Sequence, residues 1–79
     1  MTNETDAQLI YRTLAGDRLA AGLLTERYRQ MVVQVAYRAL GNADDALDVA
    51  QEVLLYALLQ LAQVRDRRRF SAWLRRSLA

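Results

Sequence analysis

Asp44, Asp45 and Asp48 stand in the run DDALD, three carboxylates whose oxygens suit a hard divalent cation. The D-D-x-x-D spacing holds magnesium diphosphate in helical prenyl-chain enzymes. Those enzymes work inside a deep helical cavity, which 79 residues cannot enclose. Asp44 and Asp45 also fall where a helix should begin, a position that favours carboxylates through the helix dipole. No metal site is therefore expected: the motif lacks its structural context. The chain has no His and no Cys. It thus lacks the usual acid–base group and the thiolate nucleophile, and it has no glycine-rich phosphate loop. Neither enzyme activity nor a cofactor is expected.

The second group of functional residues is basic. Every cation is Arg, and six of the eleven fall in the last fifteen positions: Arg65, Arg67, Arg68, Arg69, Arg75 and Arg76. Only Asp66 opposes them there. Between Arg38 and Arg65 the charge is all acidic, with Asp44, Asp45, Asp48 and Glu52. The net charge of +2 therefore conceals a bipolar molecule. A basic end of this kind can meet nucleic acid, and an acidic end can meet a protein. Arg suits bidentate phosphate and base contacts, although a GC-rich genome would produce the same bias.

The elements that position these residues are helical. Pro is absent, Gly occurs three times, and 53% of the residues are hydrophobic, which predicts a single all-α domain over residues 1–79, a compact bundle of about four helices. Thr5 and Gln8 form a capping box for a first helix, about Asp6 to Ala15, with Leu9, Ile10 and Leu14 inward and Gly16 as its stop. Asp17 caps a longer second helix to about Leu40, with Leu19, Leu23, Leu24, Tyr28, Val32, Val35, Ala36 and Leu40 inward. Gly22 inside it costs roughly 1 kcal/mol against Ala. After Gly41 and the turn GNADD, a third helix is expected from about Asp44 to Leu61. A basic loop follows, then a short helix from near Ser71 with Phe70, Trp73, Leu74 and Leu78 as its apolar side. No apolar run is long enough to span a bilayer and no signal region opens the chain, so a cytoplasmic location without a membrane partner is expected. The chain ends inside its fourth helix without a C-cap, as a shortened domain would.

The third helix is apolar on more than one side. At about 100° per residue, Leu47, Ala50, Leu54, Ala57 and Leu61 form one face, expected to be core. Asp48, Gln51, Glu52, Leu55 and Leu59 form another, polar in its first turns and apolar at its end. Either the other helices cover both faces, or this second stripe is read by a partner helix. Its carboxylates and amide argue for the second, because they are costly to bury unpaired.

Taken in order, the elements GD, RY, LG, DA-x-DV-x-QEV and, after the basic loop, F-x-x-WL resemble region 2 of bacterial sigma-70-family RNA polymerase sigma factors. The extracytoplasmic-function branch is the most similar, over roughly Asp6 to Ala79. The resemblance implies transcription initiation: the third helix docks on the clamp helices of the polymerase β′ subunit, here through Asp48, Gln51, Glu52 and Leu55. It also implies that the loop from Gln63 to Arg69 and the start of the fourth helix capture non-template bases of the promoter −10 element. Arg65, Arg67, Arg68, Arg69, Arg75 and Arg76 would hold that DNA. Phe70 and Trp73 could stack bases, but their helical spacing favours the core. An anti-sigma factor is a further partner implied by the branch.

The chain departs from the family pattern in places. Ala21, Leu54 and Leu58 stand where aromatics are usual, and VRDRRR lacks the aromatic and Gly common in the loop. The Asn that reads the −10 element would lie beyond residue 79, and the helix-turn-helix domain for the −35 element is not in the sequence. An isolated domain that binds polymerase without initiating alone is expected. A different class remains open: a helical interaction module without DNA work, with Leu55 and Leu59 as a homodimer seam.

Overall fold

The computed structural model describes residues 4–78. Helix α1 spans Asp6–Leu14, α2 Arg18–Leu40, α3 Ala43–Leu59 and α4 Phe70–Leu78, with short 3₁₀ turns at Leu61–Gln63 and Arg67–Arg69. No strand occurs among the described residues. The all-α bundle of four helices expected from composition is thus what forms.

The first three helix starts have local causes. Thr5 and Gln8 close a capping box: the Gln8 amide donates to the Thr5 hydroxyl at 3.2 Å, and the Thr5 amide donates to Gln8 Oε1 at 2.8 Å. Asp17 caps α2 by accepting from the Ala20 amide at 3.2 Å, and Asn42 caps α3 by accepting from the Asp45 amide at 3.1 Å. Each satisfies an amide that the helix leaves without a partner. Between α2 and α3 the chain reverses at Gly41, whose φ of 69° is left-handed. Its amide donates to the Tyr37 carbonyl at 2.8 Å, closing α2.

The α2–α3 hairpin is the frame, and α1 lies along α2 and also meets both 3₁₀ turns, while α4 returns to α2. The core joins Leu9 and Ile10 of α1, Ala20, Leu24 and Val32 of α2, Ala50 and Ala57 of α3, Leu61 and Val64 of the connection, and Phe70 and Leu74 of α4. Four leucines expected inward face solvent instead: Leu14, Leu19, Leu40 and Leu47 are 41%, 68%, 47% and 45% exposed. Leu14 and Leu40 are the last residues of their helices, and Leu19 lies in the first turn of α2 beside the buried Ala20. Leu47 has a different reason. The buried residues of α3 are Ala46, Ala50 and Ala57, with Val53, Leu54 and Leu58 partly buried against the core. The buried face of α3 is thus centred on Ala46 and Ala50 in its first turns, which leaves Leu47 beside it in solvent.

Helix α3 also ends earlier than its apolar run. Gln60 is its C-cap, and Leu61, fully buried, sits in the following 3₁₀ turn. The apolar period thus continues through a change of backbone geometry, because the core needs Leu61 whatever the local helix type.

Candidate functional site

The stripe along α3 is exposed from end to end. Asp48, Gln51 and Glu52 are exposed, and Leu55, Tyr56 and Leu59 are 54%, 55% and 80% exposed. Among the described residues, the side chains of Asp48, Gln51 and Glu52 make no hydrogen bond or ion pair. The structure therefore leaves this face uncovered by the domain's own helices. Asp48, Gln51 and Leu55 form one wall of a groove of about 370 Å³ between α3 and α2, and Thr25, Glu26 and Arg29 of α2 form the other. Glu52 lies outside that lining, farther round the helix. Glu26 and Arg29 were not singled out by sequence. Their signal was available: Thr25, Glu26 and Arg29 flank the buried Leu24 and Val32 on one side of α2.

The basic segment is more ordered than a loop. Asp66 organises it: its carboxylate accepts from the Arg68 amide at 3.1 Å and from Arg68 Nε at 3.2 Å, and Arg69 Nε lies 3.9 Å away. The Arg69 amide donates to the Asp66 carbonyl at 2.9 Å, closing the Arg67–Arg69 turn. These bonds from Arg68 hold the Asp66 carboxyl below the usual carboxylate range. Val64, buried, pins the preceding residues to the core.

A pocket of about 290 Å³ opens between this turn and α4. Arg65, Arg69 and Arg76 surround it, Gln63 and Asp66 add polar groups, and Trp73 supplies an aromatic wall. Three of the six arginines are thus brought together. Arg68, with 85% of its side chain exposed, and Arg75 stand outside the pocket, and Arg67 turns toward Glu4 and Tyr11 beside α1. Arg65, Arg67, Arg75 and Arg76 have no ion-pair partner among the described residues.

The two aromatics divide their roles. Phe70 is buried, 3% exposed, as its helical spacing suggested, and Trp73 is half-buried at the pocket. Their rings stack at 5.8 Å and 23°, and Phe70 and Tyr28 form a T-shaped pair at 5.3 Å and 75°. The Tyr28 hydroxyl donates to Asp6, which also accepts from Arg27 at 2.9 Å. Sequence reading treated Tyr28 only as core and gave Asp6 no role. A contact between residues 22 apart leaves no periodic trace.

No group of three or more His, Cys, Asp or Glu side chains is placed to hold a metal ion among the described residues. No helix there is long and apolar enough to cross a membrane.

Comparison with known proteins gives one consistent family. The family model "Sigma-70 region 2" matches residues 24–78. The chain is 36% identical over 76 residues to the RNA polymerase sigma-H factor of Pseudomonas aeruginosa, covering 96% of this chain and 39% of that protein. It is 36% identical over 61 residues to the ECF RNA polymerase sigma factor SigW of Bacillus subtilis, covering 77% of this chain and 33% of that one. The chain thus spans well under half the length of either relative. No solved structure matches it.

Proposed function

The chain belongs to the sigma-70 family through its region 2, and on that footing we propose that it is a promoter-recognition and promoter-opening domain of the extracytoplasmic-function kind. It acts by binding in the cytoplasm, not by catalysis. Its partners are the polymerase core, through the β′ clamp helices, and single-stranded −10 DNA. An anti-sigma factor would compete for the same surfaces.

The observation that carries this reading is the exposed α3 stripe, whose carboxylates and amide have no partner among the described residues. A carboxylate pair and an amide engage Arg and other donors on a coiled coil, and Leu55 and Leu59 add apolar area beside them. The pocket before α4 supports the DNA half. Three guanidiniums with an indole wall suit phosphates around one unpaired base.

The experiment is binding of the 79-residue chain to a purified β′ clamp-helix fragment, beside the double variant Gln51→Ala, Glu52→Ala. Both positions are exposed and unpaired, so the variant is expected to keep its helical circular dichroism and lose affinity. A folded variant with undiminished affinity removes those residues from the interface. Failure of the wild-type chain to bind removes the polymerase reading.

A second reading rests on the same Leu55, Tyr56 and Leu59, each more than half exposed. There they form a homodimer seam in an interaction module without DNA work. Sedimentation separates the two: a seam gives a concentration-dependent dimer, and a polymerase-facing stripe leaves a monomer.

A further inference from the structure

We propose that Asp6 and Tyr28 are positioning residues for base capture, setting through Phe70 the place of the Trp73 ring in the wall of the pocket before α4. The inference rests on the −10 reading of that pocket and names a control on it that begins outside the matched family segment, at Asp6. Asp6 belongs to α1, ahead of the match at residue 24.

The contacts are continuous. Both carboxylate oxygens of Asp6 are held, Oδ1 by Arg27 and Oδ2 by the Tyr28 hydroxyl, and only 18% of its side chain is exposed. The Tyr28 ring is therefore anchored at its far end, and it forms a T-shaped pair with Phe70. Phe70 is buried and carries Trp73 stacked against it on the pocket side. The side chain of Ser71, in the first turn of α4, also bears on the phenol oxygen. Burial, and then Asp6, push the Tyr28 phenol up to about 12, so it remains a neutral donor at any working pH.

The physics requires such an anchor. Helix α4 has nine residues, and isolated helices shorter than ~12–15 residues are marginal in water. Its position must come from packing, and the Tyr28–Phe70 pair is made at its first residue. A base stacking on Trp73 gains only if the ring is already placed, because ordering it at the moment of binding costs affinity.

The test compares the 79-residue chain with Asp6→Asn and Tyr28→Phe. The first removes the charge, and the second keeps the ring and removes the hydroxyl. Two probes of equal length are used: a single-stranded oligothymidylate and the same strand with abasic sites. Their affinity ratio reports stacking, and the salt slope of the abasic strand reports phosphate contact. Stacking of one base predicts a wild-type ratio on the order of tenfold. Both variants are expected to bring the ratio close to one, with the abasic salt slope unchanged, and Asp6→Glu should recover part of it.

A ratio retained in both variants overturns the positioning role while leaving base capture intact. Variants in which ratio and salt slope fall together overturn it in favour of a general folding role. A wild-type ratio of one removes base capture itself, and this inference with it.

Discussion

Tyr28 ionises late because burial, and then the Asp6 carboxylate, disfavour a phenolate, raising its pKa from 10.0 to about 12. Between those values the folded state holds a proton that the unfolded chain has released. The stability this group contributes is complete below pH 10 and is lost as pH rises through about 12. Chemical denaturation across that alkaline window should therefore show a decline that Tyr28→Phe lessens. An identical decline in the variant would assign it to other groups. Asp17 works in the opposite sense. Arg12, bonded through Nε at 2.9 Å, and the Ala20 amide hold its carboxyl below the ordinary range. Its contribution is present above the usual carboxylate pKa and is lost as pH falls through the lowered value. Acid should loosen the α1–α2 corner, visible as faster amide exchange in the first turn of α2.

Helix α2 holds one glycine and is capped by another, and the two carry opposite expectations. Gly22 lies inside the helix, and a methyl added there meets nothing within 4 Å. Gly22→Ala should raise stability by about 0.5–1 kcal/mol, since it removes only chain entropy and a poor helix former. Gly41 also has open space, but its φ of 69° suits glycine. Gly41→Ala should cost roughly 1 kcal/mol. Urea titration of both variants checks the pair, and equal effects would mean that backbone conformation does not govern this helix end. The third helix teaches a related point. Periodicity puts Leu47 in the core beside Ala50 and Ala57, whereas the buried residues of α3 are Ala46, Ala50 and Ala57. Alanine is ambiguous in a one-dimensional pattern, and only the packed molecule shows which one is buried.

Across the whole molecule the two charge clusters serve different surfaces, an acidic one along α3 and a basic one around the turn before α4. Replacing Arg67, Arg68 and Arg69 together with Ala should lower the salt slope of single-strand binding by about 0.7 for each phosphate no longer neutralised. The geometry adds an internal comparison: Arg65, Arg69 and Arg76 share the pocket, and Arg67 and Arg68 do not line it. Replacing the pocket trio should therefore reduce base-dependent affinity as well as the slope, while Arg67 and Arg68 should change the slope alone. Equal effects on base-dependent binding from the two sets would dismiss the pocket as a distinct site.

The helices, the caps at Thr5 and Asp17 and the second stripe of α3 are legible in the sequence, because capping is local and the 3.6-residue period sorts the faces of a helix; that the stripe stays uncovered is seen only in the packed molecule. The sequence also carried the family, through the ordered elements from RY to F-x-x-WL. Tertiary structure decided how those helices meet. It buried Ala46 in place of Leu47, gathered Arg65, Arg69 and Arg76 without Arg67, and joined Asp6 to Tyr28 and Phe70. Such contacts depend on the distance and angle between backbones far apart in the chain, and periodicity within one helix contains neither quantity.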